Sequence, residues 1–365
     1  MKKQASQTPR KRLCLWKIVL FAVLFCVVLG TVQQVINHKF LLDEYWPGRF
    51  DTYRSLPRNS VDVVFLGTSM TQAGVSPNIL WKEAGIASYN MSGSLHQHTF
   101  AEQKLLTMLE LNTPPKYAVF TPTSLYGREF YKLEIRTAYH KFVSALPTVG
   151  QKVRAVLAMK RDLDAAGEAF DVVHFLLPIL DYHSRWSNLQ EWDVRPAWTY
   201  ADEDPAFMLG QDDLDRTGDI TDKRKPDDEN ATLNPEVEQM WRKVFALCRQ
   251  NGITPVVLIP PRFDGIPTKA QLEATQRLCE ESGAVFINYL APGELERMAW
   301  DYTRDFAETV HLNFHGAAKL SRDLAQKLSA LPGVSDHRGD PAYAVWDEYC
   351  AVYYDTYGPR LAEAQ

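Results

Sequence analysis

A serine hydroxyl becomes a useful nucleophile when a histidine takes its proton and a carboxylate orients that histidine. The sequence offers such a serine in Ser69, which follows the apolar run Val63, Val64, Phe65 and Leu66 through Gly67 and Thr68. A serine on a sharp turn after a buried strand stands at the strand's carboxyl end, where open α/β sheets place their sites. The two partners come far along the chain, with Glu308 three residues before His311. In a turn that spacing lets a carboxylate reach one ring nitrogen and leaves the other for the serine. Asp305 is a second candidate for the acid. The chemistry implied is acyl transfer through an ester on Ser69.

Such chemistry needs donors for a developing oxyanion. The N–H groups of Ser69 and of Gly93, on the loop after the second predicted strand, are candidates. Thr123 and Ser124 end the third strand and offer hydroxyls. His96 and His98 flank the same opening; they either touch substrate or mark the surface start of a helix, and the second is the simpler reading. Arg185 and Arg262 suit an anionic group such as phosphate or uronate, though isolated arginines read first as solvated surface. No cluster has metal-ligand spacing, so neither metal nor cofactor is expected.

The elements that must position these residues alternate. Strands are predicted over about 61–66, 86–91, 117–121, 254–259 and 284–287. Between them come helices near 77–84, 97–111, 235–250 and 268–281, and a last amphipathic helix spans 316–331. Asn234 and Pro235 supply a helix start, and Gly85 and Gly252 supply stops. This is the rhythm of a doubly wound parallel sheet. It is interrupted by an insertion at about 128–230, mainly helical to residue 200, then acidic and polar over 201–230, where an exposed and partly disordered loop is expected. Residues 332–365 form an aromatic-rich extension, with Tyr343, Trp346, Tyr349, Tyr353, Tyr354 and Tyr357, expected to wrap the domain.

Ahead of the 61–331 domain lie a 1–12 tail, an apolar stretch at 13–33 and a 34–60 linker. The stretch is about as long as a bilayer-spanning helix, with Lys17 near one end. Lys2, Lys3, Arg10, Lys11 and Arg12 precede it, so the positive-inside rule puts the N-terminus in the cytoplasm and the rest outside. A cleaved signal peptide is the competing reading, and no clear small-residue cleavage site follows. A net charge of −5 and a pI near 6.0 argue against a nucleic-acid partner. The 5 cysteines form no metal or disulfide pattern; Cys248 and Cys279 are one conceivable pair.

With Phe65 to Ser69 as a nucleophile block and Glu308 to Gly316 as a closing block, the chain resembles the SGNH/GDSL hydrolase superfamily. More narrowly it is similar to the membrane-anchored bacterial envelope branch, with D-alanine-transfer and alginate O-acetylation proteins. The resemblance implies a three-layer α/β/α sandwich with a flavodoxin-like parallel sheet, preceded by one transmembrane helix. It implies catalysis by Ser69, Glu308 and His311 without a cofactor, with Gly93 matching the family's glycine block. Thr68 replaces the family's aspartate, Glu308 replaces the acidic aspartate, and Pro122, Thr123 and Ser124 stand where the family has an oxyanion asparagine. The expected activity is hydrolysis or transfer of an acyl, chiefly acetyl, ester on a cell-envelope polysaccharide, with a membrane acyl-delivery protein as a possible partner. The alternatives are an inactive scaffold of polysaccharide assembly and a sugar-binding module.

Overall fold

The structure is a computed structural model that describes residues 9–36, 49–93, 98–126, 136–165, 167–194, 206–212, 214, 216–218 and 231–363. The chain divides into two compact units, Met1–Lys39 with Asp171–Pro196, and Phe40–Phe170 with Ala197–Gln365.

The larger unit is built on a parallel sheet. Its strands are β1 (Val63–Phe65), β2 (Ser88–Asn90), β3 (Tyr117–Phe120), β4 (Thr254–Ile259) and β5 (Val285–Asn288), in the order β2-β1-β3-β4-β5. All four pairings are parallel, and Val63 lies between Ser88 and Tyr117. Alternate strand residues point to opposite faces. On one face Val63, Phe65, Val119, Val256, Leu258 and Ile287 pack with Leu320, Leu324 and Leu328 of the helix Phe314–Ser329. On the other, Phe120 meets Trp241 and Phe245 of the helix Pro235–Gln250 at 5.6 and 5.9 Å between ring centres. Burial on both faces is why β1, β3 and β4 read as largely apolar runs. The strand order reverses direction between β1 and β3, and in such sheets the crevice beyond the carboxyl ends at that point receives the ligand.

The predicted helices fall close to their places, at Pro77–Ala84, His98–Leu111, Pro235–Gln250, Lys269–Ser282 and Phe314–Ser329. Asn234 caps its helix by accepting from the Glu236 and Val237 N–H groups at 3.1 and 3.2 Å. Within the 34–60 linker, Arg49–Ser55 is a helix whose Tyr53 is fully buried. Asn112 Nδ2 reaches the Leu56 carbonyl at 3.0 Å and fixes its end.

The insertion departs from its composition. Met208, Leu209 and Gln211 are buried. The Asn90 N–H donates to the Leu209 carbonyl at 2.9 Å, so this segment covers the open edge of β2. Further on, the Phe314 N–H donates to the Leu214 carbonyl at 3.0 Å. Phe207 and Met208 also pack against the cluster of Ile79, Phe314 and Tyr353. Residues 201–205, 213, 215 and 219–230 lie outside the described residues.

The aromatic extension becomes the helix Ala344–Glu363, with Trp346 and Tyr353 fully buried. Trp346 packs on Trp81 at 6.2 Å, and Trp81 Nε1 donates to Asp347 at 3.0 Å. We expect Trp346→Ala to destabilise the fold by about 3–5 kcal/mol, the usual cost of emptying a buried tryptophan site. Urea unfolding of the full chain in detergent reads this, and an unchanged midpoint would mean that the extension does not stabilise the sheet domain. Cys248 and Cys279 are buried as free thiols and do not pair; burial pushes both up to about 12.

The smaller unit contains the helix Pro9–Ile36, whose Leu15–Gln33 window has a mean hydropathy of 2.5. Its 19 residues span about 28 Å, so the helix is long and apolar enough to cross a membrane. Short helices at Val172–Leu176, Ile179–Tyr182 and Glu191–Val194 complete the unit.

Candidate active site

Ser69 is the first residue of a short helix, Ser69–Gly74, that the sequence reading did not separate from the turn. Thr68 precedes it in extended conformation, and its carbonyl accepts from the Thr71 and Gln72 N–H groups, both at 3.0 Å. The Ser69 N–H is thereby left outside the helical ladder, facing the end where the helix dipole is positive. Gly67 makes the turn feasible, because a methyl group there would overlap the Thr71 and Thr121 hydroxyls. Those two hydroxyls bond each other and tie the nucleophile helix to the end of β3.

The candidate base and acid, His311 and Glu308, sit on a tight hairpin. Phe306 and Leu312 form an antiparallel bridge, and the Ala307 N–H donates to the His311 carbonyl at 3.0 Å. That turn brings Glu308 and His311 side by side, with His311 Nδ1 bonded to Glu308 Oε1. The other ring nitrogen, Nε2, lies 2.7 Å from Ser69 Oγ across 242 residues of sequence. The imidazole is largely shielded at 19% side-chain exposure, whereas Glu308 is open at 45%.

The hairpin is held by its neighbours. The Asn313 side chain caps the following helix by accepting from the His315 and Gly316 N–H groups at 3.0 and 3.1 Å, while its own N–H donates to the Asp305 carbonyl. Asp305 serves here too: its carboxylate takes the Asp301 N–H at 3.0 Å and the Lys319 ammonium at 2.9 Å. Those partners account for its burial and leave Glu308 as the group on the imidazole.

The remaining predicted residues scatter. The Gly93 N–H donates to the Gly67 carbonyl at 3.2 Å, and the Ser124 hydroxyl accepts from Trp241 Nε1 at 3.1 Å. The Gly93 N–H is thus engaged, and Ser124 is not among the residues lining the cleft beside Ser69. The Thr123 N–H donates to the Thr121 carbonyl at 2.9 Å, and Thr123 is not among the residues lining the cleft. His96 lies outside the described residues. His98 is buried rather than at the surface, 3.6 Å from the Asp162 carboxylate. Arg262 is buried as well, with Nη1 against the Met70 sulfur at 4.0 Å, and burial pushes its guanidinium down. Arg185 belongs to the smaller unit, paired with Asp193 at 2.7 Å. Among the described residues no group of three or more His, Cys, Asp or Glu side chains could hold a metal ion.

Several supporting residues escaped the sequence reading. Asn90, fully buried at the end of β2, sends Nδ2 to the Thr71 and Val75 carbonyls at 3.0 and 2.9 Å. Its Oδ1 accepts from the Ser92 N–H at 3.1 Å, and the Ser92 hydroxyl accepts from the Gly67 N–H at 2.9 Å. Behind that loop, Lys104 Nζ donates to the Met91 carbonyl and Arg49 Nη1 donates to the Ser92 carbonyl. Burial first, then the nearby Arg49 charge, holds the Lys104 ammonium well below the usual lysine value. A polar residue at the carboxyl end of a buried strand was the available signal for Asn90 and Thr121. The cleft beside Ser69 is also lined by Gln72, Ala73, Asp212, Leu214 and Arg216, so the insertion contributes one of its walls.

Comparison of the chain with protein-family models and with curated proteins found no match.

Proposed function

We propose that this protein is a serine esterase or O-acyltransferase of SGNH type, tethered to the cell membrane by its N-terminal helix with the sheet domain outside the cytoplasm, and acting on acyl esters of a cell-envelope glycan. The observation that carries the chemistry is the hydrogen-bonded series Glu308, His311, Ser69 at the carboxyl end of β1. Envelope glycan and acetyl group come from the sequence resemblance and the basic flank of the apolar helix, not from the geometry.

In this reading Ser69 Oγ attacks the acyl carbonyl carbon while His311 Nε2 takes the hydroxyl proton. The Ser69 N–H faces the oxyanion of the tetrahedral intermediate. Collapse expels the alcohol, which receives the proton from His311, and leaves an acyl ester on Ser69. Water or a sugar hydroxyl then attacks that ester, with His311 again taking the proton and returning it to Ser69. Glu308 holds the imidazole with Nε2 toward the serine and balances its charge when protonated. Asp212, Leu214 and Arg216 form the wall on which an acceptor would be selected.

A second reading, a scaffold of the same fold without turnover, has one observation in its favour: the Gly93 N–H is engaged by the Gly67 carbonyl. A serine-directed fluorophosphonate probe separates the two. We expect the full chain in detergent to be labelled, and Ser69→Ala and His311→Ala to be silent. A folded wild-type chain that resists labelling would select the scaffold.

A further inference from the structure

The smaller unit poses a separate question, because residues 171–194 pack with the apolar helix and yet expose several large hydrophobic side chains among their polar ones. Two contacts fix them to one end of that helix. Gln33 Oε1 accepts from the Ile179 N–H at 3.3 Å, and Arg185 Nη1 donates to the Ile36 carbonyl at 2.8 Å. The guanidinium thus supplies a donor to a terminal carbonyl and a positive charge to the helix's negative end. Arg185 is completed by the buried Asp193, whose second oxygen takes the Gln190 N–H at 2.9 Å. His174 and Asp181 bond each other at 2.6 Å. These polar side chains are paired inward.

Outward, the segment sets large hydrophobic side chains beside polar ones such as Ser184, Ser187 and Asn188. Val173, Leu180, Trp186 and Val194 are exposed, Trp186 by 66%. Outside the apolar helix they make up half of the large hydrophobic side chains that the described residues expose. Single exposed hydrophobics need no explanation, but this many in one short segment do. Gln33 is the last residue of the apolar window, so a segment bonded to Gln33 and Ile36 sits at the depth where hydrocarbon gives way to headgroups. Tryptophan is favoured at that depth, and short helices with one apolar side lie in that plane.

We infer that residues 171–194 form an interfacial foot, whose Val173, Leu180, Trp186 and Val194 enter the outer edge of the lipid leaflet at which the apolar helix emerges. This rests on the membrane-spanning reading of that helix. The foot gives the helix a second, shallow attachment and fixes its rotation about its own axis.

The test uses the full chain with Cys14→Ser and Cys26→Ser, which leaves the buried Cys248, Cys279 and Cys350. A polarity-sensitive fluorophore is attached at Leu180→Cys, Trp186→Cys or Leu24→Cys, and each chain is reconstituted into phosphatidylcholine vesicles. Lipids then carry a nitroxide quencher either near the headgroup or at the acyl terminus. We expect positions 180 and 186 to lose fluorescence mainly to the shallow quencher, and position 24 mainly to the deep one. Quenching at 24 without quenching at 180 and 186 would overturn the foot while the anchor stands. Blue-shifted emission at 180 and 186 that neither lipid quenches would mean that a second copy covers the patch, and would also overturn it. No quenching at 24 would remove the anchor, and the foot with it.

Discussion

Replacing His311 with alanine should slow acylation of Ser69 by about 10⁴-fold, measured as the pre-steady-state release of p-nitrophenol from an acetyl ester. The size follows from the single contact that Ser69 Oγ makes with a base, the 2.7 Å approach to His311 Nε2. No other titratable side chain among the described residues is recorded bonded to that hydroxyl, so nothing substitutes for the imidazole. Glu308→Gln should cost less, on the order of 10²-fold, because two features weaken its part. The carboxylate is 45% exposed, so water screens its field and can solvate the imidazolium in its place. The hairpin also fixes the imidazole through the backbone, by the Ala307 N–H on the His311 carbonyl. Equal acylation rates in wild type and His311→Ala would show that the serine is not activated by this histidine. Equal losses in both variants would show that Glu308 sets the tautomer alone.

A second large effect is expected far from any reacting atom. Asn90→Ala should destabilise the protein by about 2–4 kcal/mol, since it removes the Asn90 donor from the Val75 carbonyl and one of two donors, the other being the Val75 N–H, from the Thr71 carbonyl, in a site with no exposure. The Ser92 N–H loses its acceptor in the same step. Those groups belong to the nucleophile helix and to the loop that binds Gly67, so the damage reaches Ser69. Alongside the shift in unfolding midpoint, the rate of fluorophosphonate labelling should fall while the low-pH and high-pH limbs of its profile keep their shape, since the acid and base are untouched. A stable Asn90→Ala protein that labels at the wild-type rate would remove Asn90 from any positioning role.

The sheet was legible because buried parallel strands leave an unmistakable trace. Val63 to Leu66 and Thr254 to Ile259 are apolar on both faces, and each ends at a turn residue. Ser69, Glu308 and His311 were legible because only a few residue types can do acyl chemistry and their spacing suits it. What stayed hidden was whatever the main chain does. Composition marked 201–230 as solvent-exposed, yet Leu209 and Leu214 engage the sheet edge and the closing helix through carbonyl groups. Gly93 seemed free because a sequence does not say which carbonyl its N–H will meet; here it meets Gly67. Asn90 looks like a polar interruption at a strand's end, and its bracing of both a helix and the loop at Ser92 depends on a chain reversal that side-chain pattern does not encode. Arg185 and His98 read as surface charges because their partners, Asp193 and Asp162, are acidic residues embedded in otherwise ordinary helical stretches.

The sequence separation of 242 between Ser69 and His311 also orders events in time. A ribosome delivers the serine first, and everything that can be assembled around it early, including β1 and β2 with their short helices, leaves an unassisted hydroxyl. Neither the hairpin that bears His311 nor the helix that backs it exists until most of the chain has emerged. If Ser69 is the nucleophile proposed above, a nascent or truncated chain lacks its base, and the serine meets His311 only when the fold around it has closed.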